Sequence, residues 1–158
     1  MIAEGKIAPA FELPVDDGGR LKLAELRGGP VVLYFYPKDD TSGCTLEAQD
    51  FTARAAEFKK LDAAIVGVSP DSVASHCKFR DKYGLSVRLV ADEDHKICEA
   101  YGVWVEKSMY GRKYMGVERT TVLIDAKGRI AKIWSKVKVP GHAEDVLAAV
   151  RELKADNG

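Results

Sequence analysis

Three cysteines, Cys44, Cys77 and Cys98, are the residues of this 158-residue sequence best suited to covalent chemistry. Their odd number and wide spacing argue against a disulfide framework, and no Cys-x-x-Cys pair indicates zinc or a dithiol redox site. A helical stripe of small and apolar residues runs through Cys44, Ala48, Phe51, Ala55 and Phe58. A thiol at a helix start faces free backbone N–H groups that stabilise a thiolate, although a lone cysteine is also a common packing residue. Position alone leaves both interpretations of Cys44 open.

A strand–helix–strand unit is predicted to position Cys44. The apolar run 31–36, stopped by Pro37, predicts a strand buried on both faces. A second run, residues 64–68, predicts a parallel strand, and the helix that begins near Cys44 forms the right-handed crossover between them. These elements indicate an α/β layer fold.

The remaining segments predict a mixed sheet flanked by helices. Ser69-Pro70-Asp71 has the order of an N-cap, a first-turn proline and a first-turn acid, so residues 70–83 are predicted to be a helix that Gly84 ends. The sequence also predicts an N-terminal hairpin (11–13 with 21–23), strands at 87–90 and 121–124, a second hairpin (121–124 with 130–134) and a C-terminal helix with an apolar face at Val146, Leu147, Val150 and Leu153.

Composition sets the class of protein. With 46% hydrophobic and 30% charged residues, the chain is expected to form a single globular domain over residues 1–158. The 24 basic and 24 acidic side chains balance and form no long block of one sign, so we expect no nucleic-acid partner. The N-terminus lacks an apolar signal region, and no run approaches the roughly 18 apolar residues of a membrane helix. We therefore expect a cytoplasmic protein without a membrane partner.

The stretch 34–45, Tyr-Phe-Tyr-Pro-Lys-Asp-Asp-Thr-Ser-Gly-Cys-Thr, resembles the active-site loop of peroxiredoxins of the bacterioferritin comigratory protein branch, also called the Q-type. Its Pro-x-x-x-Thr-x-x-Cys motif is highly specific. The likeness covers nearly the whole chain, through 68–72, His76, 91–93, 110–111 and 116–121. It implies a thioredoxin fold with an added N-terminal hairpin and one inserted strand and helix, which matches the elements predicted above.

The resemblance implies a thiol-dependent peroxidase in which the Cys44 thiolate attacks a hydroperoxide oxygen and becomes a sulfenic acid. Thr41 would donate its hydroxyl proton to a peroxide oxygen and accept a bond from a backbone N–H. Arg119 would hold the thiolate and the peroxide together through its planar donors. Pro37, which has a fixed φ and no N–H, would shape the loop and shield the thiolate.

The resemblance also suggests where a resolving thiol lies. Many members of this branch carry it five residues after the peroxidatic cysteine, but Gln49 occupies that position. Others carry it in the next helix, where this chain has Cys77. Cys77 would lie about seven residues, roughly 10 Å, along its helix, whereas a disulfide needs Cα atoms within about 7 Å. We therefore predict local unwinding around Cys44 during turnover.

Cys98 is predicted to have a structural role. The segment 95–101 predicts a short helix in which Ile97, Cys98 and Tyr101 pack inward. The pairs His95-x-x-Cys98 and His76-Cys77 each supply two potential metal ligands, but the sequence shows no partners that would complete a tetrahedral site. We expect neither a metal nor another cofactor.

Several alternatives remain open. Without a resolving thiol the chain would be a one-cysteine peroxidase recycled by an external thiol. A thiol-disulfide oxidoreductase is disfavoured by the lack of Cys-x-x-Cys, and a non-enzymatic binding module shares the fold. The resemblance implies a monomer that accepts hydrogen peroxide and organic hydroperoxides, with thioredoxin as reductant and glutaredoxin or a small thiol as alternatives.

Overall fold

A five-stranded mixed sheet forms the centre of the computed structural model, which describes residues 2–157. In chain order the elements are β1 (Glu12–Pro14), β2 (Arg20–Lys22), a 3-10 helix (Leu23–Leu26), β3 (Val31–Phe35), α1 (Ser42–Ala53), α2 (Ala55–Lys60), β4 (Ala64–Ser69), α3 (Val73–Tyr83), β5 (Arg88–Ala91), α4 (Lys96–Ala100), β6 (Trp104–Met109), β7 (Arg112–Val117), β8 (Thr120–Ile124), β9 (Ile130–Trp134) and α5 (His142–Asn157). None of the helices among the described residues has the length and apolar character needed to cross a membrane.

The central sheet has the strand order β5-β4-β3-β8-β9. Strands β3, β4 and β5 are parallel, whereas β8 runs antiparallel to both β3 and β9. All five residues of β3 are buried, as the continuous apolar run predicts for a central strand. The predicted α/β class, the mixed sheet and both predicted hairpins, β1–β2 and β8–β9, are confirmed.

The sheet separates two hydrophobic clusters because successive side chains of a strand point to opposite faces. The β3 segment contributes Val31, Leu33 and Phe35 to one cluster and Val32, Tyr34 and Tyr36 to the other. Cys44 belongs to the second cluster and Cys98 to the first. The two cysteines are therefore held on opposite faces of the sheet.

Two helix boundaries differ from those predicted. The helical stripe that starts at Cys44 is divided at Arg54, where the backbone leaves the helical region and α1 ends. The N-cap of α3 is Ser72, whose hydroxyl accepts from Ser75 N–H, and the predicted cap Ser69 instead donates to the Asp71 carboxylate. The helix therefore begins at Val73, three residues later than predicted. The predicted stop at Gly84 is confirmed, because this residue adopts the left-handed conformation with φ 60°.

The hairpin β6–β7 was not predicted. Its turn, Tyr110-Gly111, has positive φ at both residues, 52° and 78°, which is the conformation of a tight two-residue hairpin turn. Most side chains of the two strands are exposed or only half-buried, so the sequence lacks the alternation that marks a strand with one face in the core. The hairpin leads directly into the segment that carries Arg119.

Candidate active site

Cys44 lies in the first turn of α1, directly after the loop that leaves the central strand. The Thr41 backbone is extended (φ −95°, ψ 156°) and caps the helix, and the first backbone bond of α1 runs from Thr45 N–H to Thr41 O. The N–H groups of Gly43 and Cys44 precede the helix's own hydrogen bonds and carry its positive end. The predicted helix start is confirmed, and the Cys44 side chain is only 1% exposed.

Arg119 reaches Cys44 because of the sheet register. Strand β8 pairs antiparallel with β3 so that Thr120 lies opposite Phe35, which brings the preceding Arg119 to the end of β3 where the active-site loop begins. Its Nη2 donates to Cys44 Sγ over 3.3 Å, although the two residues are far apart in sequence. Burial by itself lowers the pKa of Arg119, but the charges of Glu47 and Cys44 more than offset this and raise it. The guanidinium is therefore a fixed cation beside the sulfur.

Glu47 is the residue of this site that the sequence did not indicate. It lies one helical turn after Cys44, is 1% exposed, and accepts from Arg119 Nη1 over 2.7 Å. Burial raises the pKa of Glu47 to about 7, and the neighbouring Arg119 offsets only part of this effect. The carboxyl group fixes one edge of the guanidinium while the other edge faces the sulfur. In the sequence, an acidic residue next to the apolar stripe of α1 was the signal that could have indicated its role.

Thr41 and Pro37 lie on the loop as the motif indicates, but one expected contact is absent. The Thr41 hydroxyl donates to Lys38 O over 2.8 Å and makes no capping bond to a backbone N–H of α1. The prediction that it would accept such a bond is therefore wrong, because the hydroxyl turns back toward the loop. Pro37 is half-buried and follows Tyr36, whose N–H still bonds to Val68 O at the end of the sheet.

In a comparison with protein families, residues 5–133 match the model described as AhpC/TSA family. The chain belongs to this family. It is a peroxiredoxin, a thiol-dependent peroxidase. Similar curated proteins include Peroxiredoxin Bcp of Bacillus subtilis strain 168, which is 48% identical over 94% of this chain and 95% of its own length. The Putative peroxiredoxin bcp of Coxiella burnetii is 49% identical over 92% and 97% of the two chains.

Solved structures show the same fold. The bacterioferritin comigratory protein of Xanthomonas campestris, studied for its alkyl peroxide reduction activity, superposes with a TM-score of 0.90 at 42% identity over 96% of this chain and 99% of its own. Peroxidoxin BcpB of Mycobacterium tuberculosis gives a TM-score of 0.85 at 33% identity over 97% and 99%. The thioredoxin-like peroxiredoxin fold implied by the sequence resemblance is thereby confirmed.

The second cysteine of this peroxiredoxin lies on a different helix from Cys44. Cys77 is on α3, half-buried, and its thiol donates to Asp16 O over 3.2 Å. Asp16 belongs to the segment between β1 and β2, and the same oxygen accepts from Arg80 Nη1 over 2.7 Å. Cys44 and Cys77 are both free thiols.

The third cysteine of the peroxiredoxin packs as predicted. Cys98 and Tyr101 are buried in the cluster on the far face of the sheet, and Ile97 packs against that cluster. Burial, followed by the nearby Asp92 carboxylate, raises the pKa of the Cys98 thiol far above its ordinary value. His95 stacks on Trp104, with ring centroids 4.1 Å apart. Its burial in this apolar cluster gives Cys98 a packing role.

Proposed function

We propose that Cys44 is the peroxidatic residue of this enzyme and that Arg119, Thr41 and Pro37 complete its active site. The observation that carries this assignment is the 3.3 Å contact between Arg119 Nη2 and Cys44 Sγ at the start of α1. The thiolate sulfur attacks one oxygen of the hydroperoxide, and the O–O bond breaks. The other oxygen leaves as alkoxide or hydroxide and takes up a proton, while Cys44 becomes a sulfenic acid.

Arg119 and Thr41 act on the charge that spreads over sulfur and both oxygens during this attack. The guanidinium is held in place by Glu47, so its donors toward the sulfur are preorganised and need no rearrangement as charge develops. The Thr41 hydroxyl is bonded to Lys38 O in the resting enzyme. It turns its proton toward a peroxide oxygen when substrate binds, and Pro37 limits the access of water to the sulfur.

Cys77 is the proposed resolving residue. Its thiol condenses with the Cys44 sulfenic acid, so that a disulfide forms and water leaves. Gln49 cannot perform this step, and Cys98 lies across the sheet from Cys44. For the disulfide to form, Cys77 must leave Asp16 O and the first turn of α1 must unwind to expose the buried Cys44.

The finer biological assignment follows from this chemistry. Hydrogen peroxide and organic hydroperoxides are the proposed substrates, and thioredoxin the reductant of the Cys44–Cys77 disulfide, with glutaredoxin or a small thiol as alternatives. The enzyme is proposed to act as a cytoplasmic monomer with one domain over residues 1–158. Balanced charge and the partly exposed Cys77, which a reductant can approach, support these assignments.

Peptide mass spectrometry under non-reducing conditions tests the mechanism. The wild type, Cys77→Ser and the control Cys98→Ala each receive one equivalent of hydrogen peroxide. We expect a Cys44–Cys77 peptide in the wild type and the control, and oxidised Cys44 without a disulfide in Cys77→Ser. Sulfenate or sulfinate alone in the wild type would indicate the one-cysteine mechanism with an external thiol. An unmodified Cys44 would overturn the assignment of the peroxidatic residue.

A further inference from the structure

A buried polar cluster joins the active-site loop to helix α3. Asp39, in the loop between β3 and α1, is almost inaccessible, and its carboxylate receives three side-chain contacts. Its Oδ2 lies 2.7 Å from His76 Nδ1 and accepts from Ser75 Oγ over 2.8 Å, both on α3. Its Oδ1 accepts from the Tyr36 hydroxyl over 2.6 Å. Asp39, Ser75 and His76 therefore connect the loop with α3, the helix that follows β4.

The protonation of His76 follows from its partners. The ring is fully buried, and its Nε2 lies 3.0 Å from Val90 O. Because a carbonyl oxygen only accepts, Nε2 carries a proton. A further proton must lie between Nδ1 and the Asp39 carboxyl group at 2.7 Å, bound to one or the other. The contact between His76 and Asp39 is thus a hydrogen bond, either between an imidazolium and a carboxylate or between the neutral ring and the neutral acid. Because both side chains are buried, water does not weaken this bond.

A second connection between the loop and α3 lies at the surface. Asp40, whose φ is positive at 58°, accepts from Lys82 Nζ over 2.7 Å and from the Tyr83 hydroxyl over 2.6 Å. The Lys82 and Asp40 side chains are 57% and 43% exposed, so solvent weakens this ion pair. The buried contacts of Asp39 with Ser75 and His76 are therefore the ones that solvent weakens least.

The cluster has members close in sequence to each of the two cysteines. Asp39 precedes Thr41 by two residues and Cys44 by five, and His76 is the direct neighbour of Cys77. Unwinding of α3 around Cys77 would carry Ser75 and His76 away from Asp39. Unwinding of the first turn of α1, which the proposed resolving step requires, would also pull on the loop that contains Asp39. Both movements strain or break the same contacts.

We propose that Asp39, Ser75 and His76 form a latch whose opening limits how fast the Cys44 sulfenic acid reaches Cys77. The proposal rests on the function proposed above, in which Cys77 resolves Cys44. While the latch is closed, a second hydroperoxide can oxidise the sulfenic acid to sulfinic acid, with cleavage of its own O–O bond to water or an alcohol. When the latch opens, the disulfide forms and water leaves. These positioning residues thus set the division between recycling and over-oxidation.

Graded substitutions test the latch. Ser75→Ala removes one of the three donors to Asp39, and Asp39→Asn retains the shape but removes the carboxylate. The control Ile130→Val shortens a buried side chain in the hydrophobic cluster on the opposite face of the sheet. Rapid quenching and peptide mass spectrometry would give the rate of Cys44–Cys77 disulfide formation and the peroxide dose that converts half of Cys44 to sulfinate.

We expect Ser75→Ala to raise both quantities about three- to tenfold, the effect of losing one hydrogen bond, and Ile130→Val to leave both within about twofold. We expect Asp39→Asn to raise both quantities more than Ser75→Ala does, because it weakens every contact of the carboxylate. A Ser75→Ala protein with wild-type or slower disulfide formation would overturn the latch, as would an equal shift in Ile130→Val. A wild type that forms no Cys44–Cys77 disulfide would remove the resolving step and the latch with it, and this failure is visible without any variant.

Discussion

Cys44 and Cys98 are both nearly inaccessible, with 1% and 0% of their surfaces exposed, yet the sheet between them separates two different chemical settings. Cys44 has an Arg119 donor 3.3 Å from its sulfur and the free N–H groups of a helix start nearby. Cys98 lies among apolar side chains with the Asp92 carboxylate near its thiol, and its pKa is raised by burial and then by that charge. Burial alone therefore does not distinguish the two thiols, whereas the sign of the neighbouring charge does.

The largest expected effect comes from replacing the sulfur atom of each cysteine in turn. Cys44→Ser should reduce peroxidase activity by at least about 10³-fold, because a hydroxyl at a similar site is a far weaker nucleophile than a thiolate. Cys98→Ala should retain activity within about threefold, since its thiol is held in the neutral form. Hydroperoxide consumption with a thiol reductant measures both. Equal losses in the two variants would mean that the two settings do not differ in chemistry.

The next effect concerns the cation that distinguishes the two settings. Arg119→Met should lower kcat/KM for hydrogen peroxide by about 10²- to 10³-fold, the usual loss when a preorganised donor to a developing charge is removed. The matched control is Arg112→Met, on the exposed part of β7. Stopped-flow measurement of Cys44 oxidation isolates the chemical step. A loss of less than about threefold would show that the contact of Arg119 with the sulfur has no role in catalysis.

Glu47 offers a test through pH. Because burial raises the pKa of Glu47 from 4.5 to about 7, the native state keeps a proton there that the unfolded state releases between these values. The free energy of unfolding of the wild type should therefore decline as pH rises through this window, by about 3 kcal/mol at most from this group. Below the window both states hold the proton, and no penalty remains.

Glu47→Gln, which cannot ionise, should lack this decline. Urea unfolding at pH 5 and pH 8 should show that the stability difference between Glu47→Gln and the wild type grows toward pH 8. Glu57→Gln, at an exposed position on α2, serves as the control. A constant difference between the two proteins at both pH values would contradict the raised pKa.

The sequence predicted the scaffold better than the details of the site. Continuous apolar runs predicted β3 and β4, and the motif around Cys44 indicated the loop, since both signals are local. The pairing of Glu47 with Arg119 joins residues separated by 72 positions and depends on the β3–β8 register, which no local pattern specifies. The hairpin β6–β7 escaped prediction because its side chains are largely exposed and show no apolar alternation.

The smallest expected effect concerns Gly43, which lies next to the guanidinium of Arg119. A Cβ atom at this position would lie 3.1 Å from Arg119 Nη2, so Gly43→Ala should push the guanidinium by a few tenths of an ångström. Alanine has the higher helix propensity, by about 1 kcal/mol, so the free energy of unfolding should hold or rise. We expect kcat/KM to fall about three- to fivefold, because donors aimed at developing charge depend on their exact placement.

The neighbouring Ser42→Ala provides the control. Ser42 is exposed in the same helical turn, and the side-chain hydrogen bonds of Arg119 go to Glu47 and Cys44 instead. Stopped-flow oxidation and urea unfolding on the three proteins separate placement from stability. Loss of rate together with loss of stability would assign the effect to folding. Loss of rate at unchanged or increased stability would show that the position of a cation, and not merely its presence, separates the reactive cysteine from the inert one.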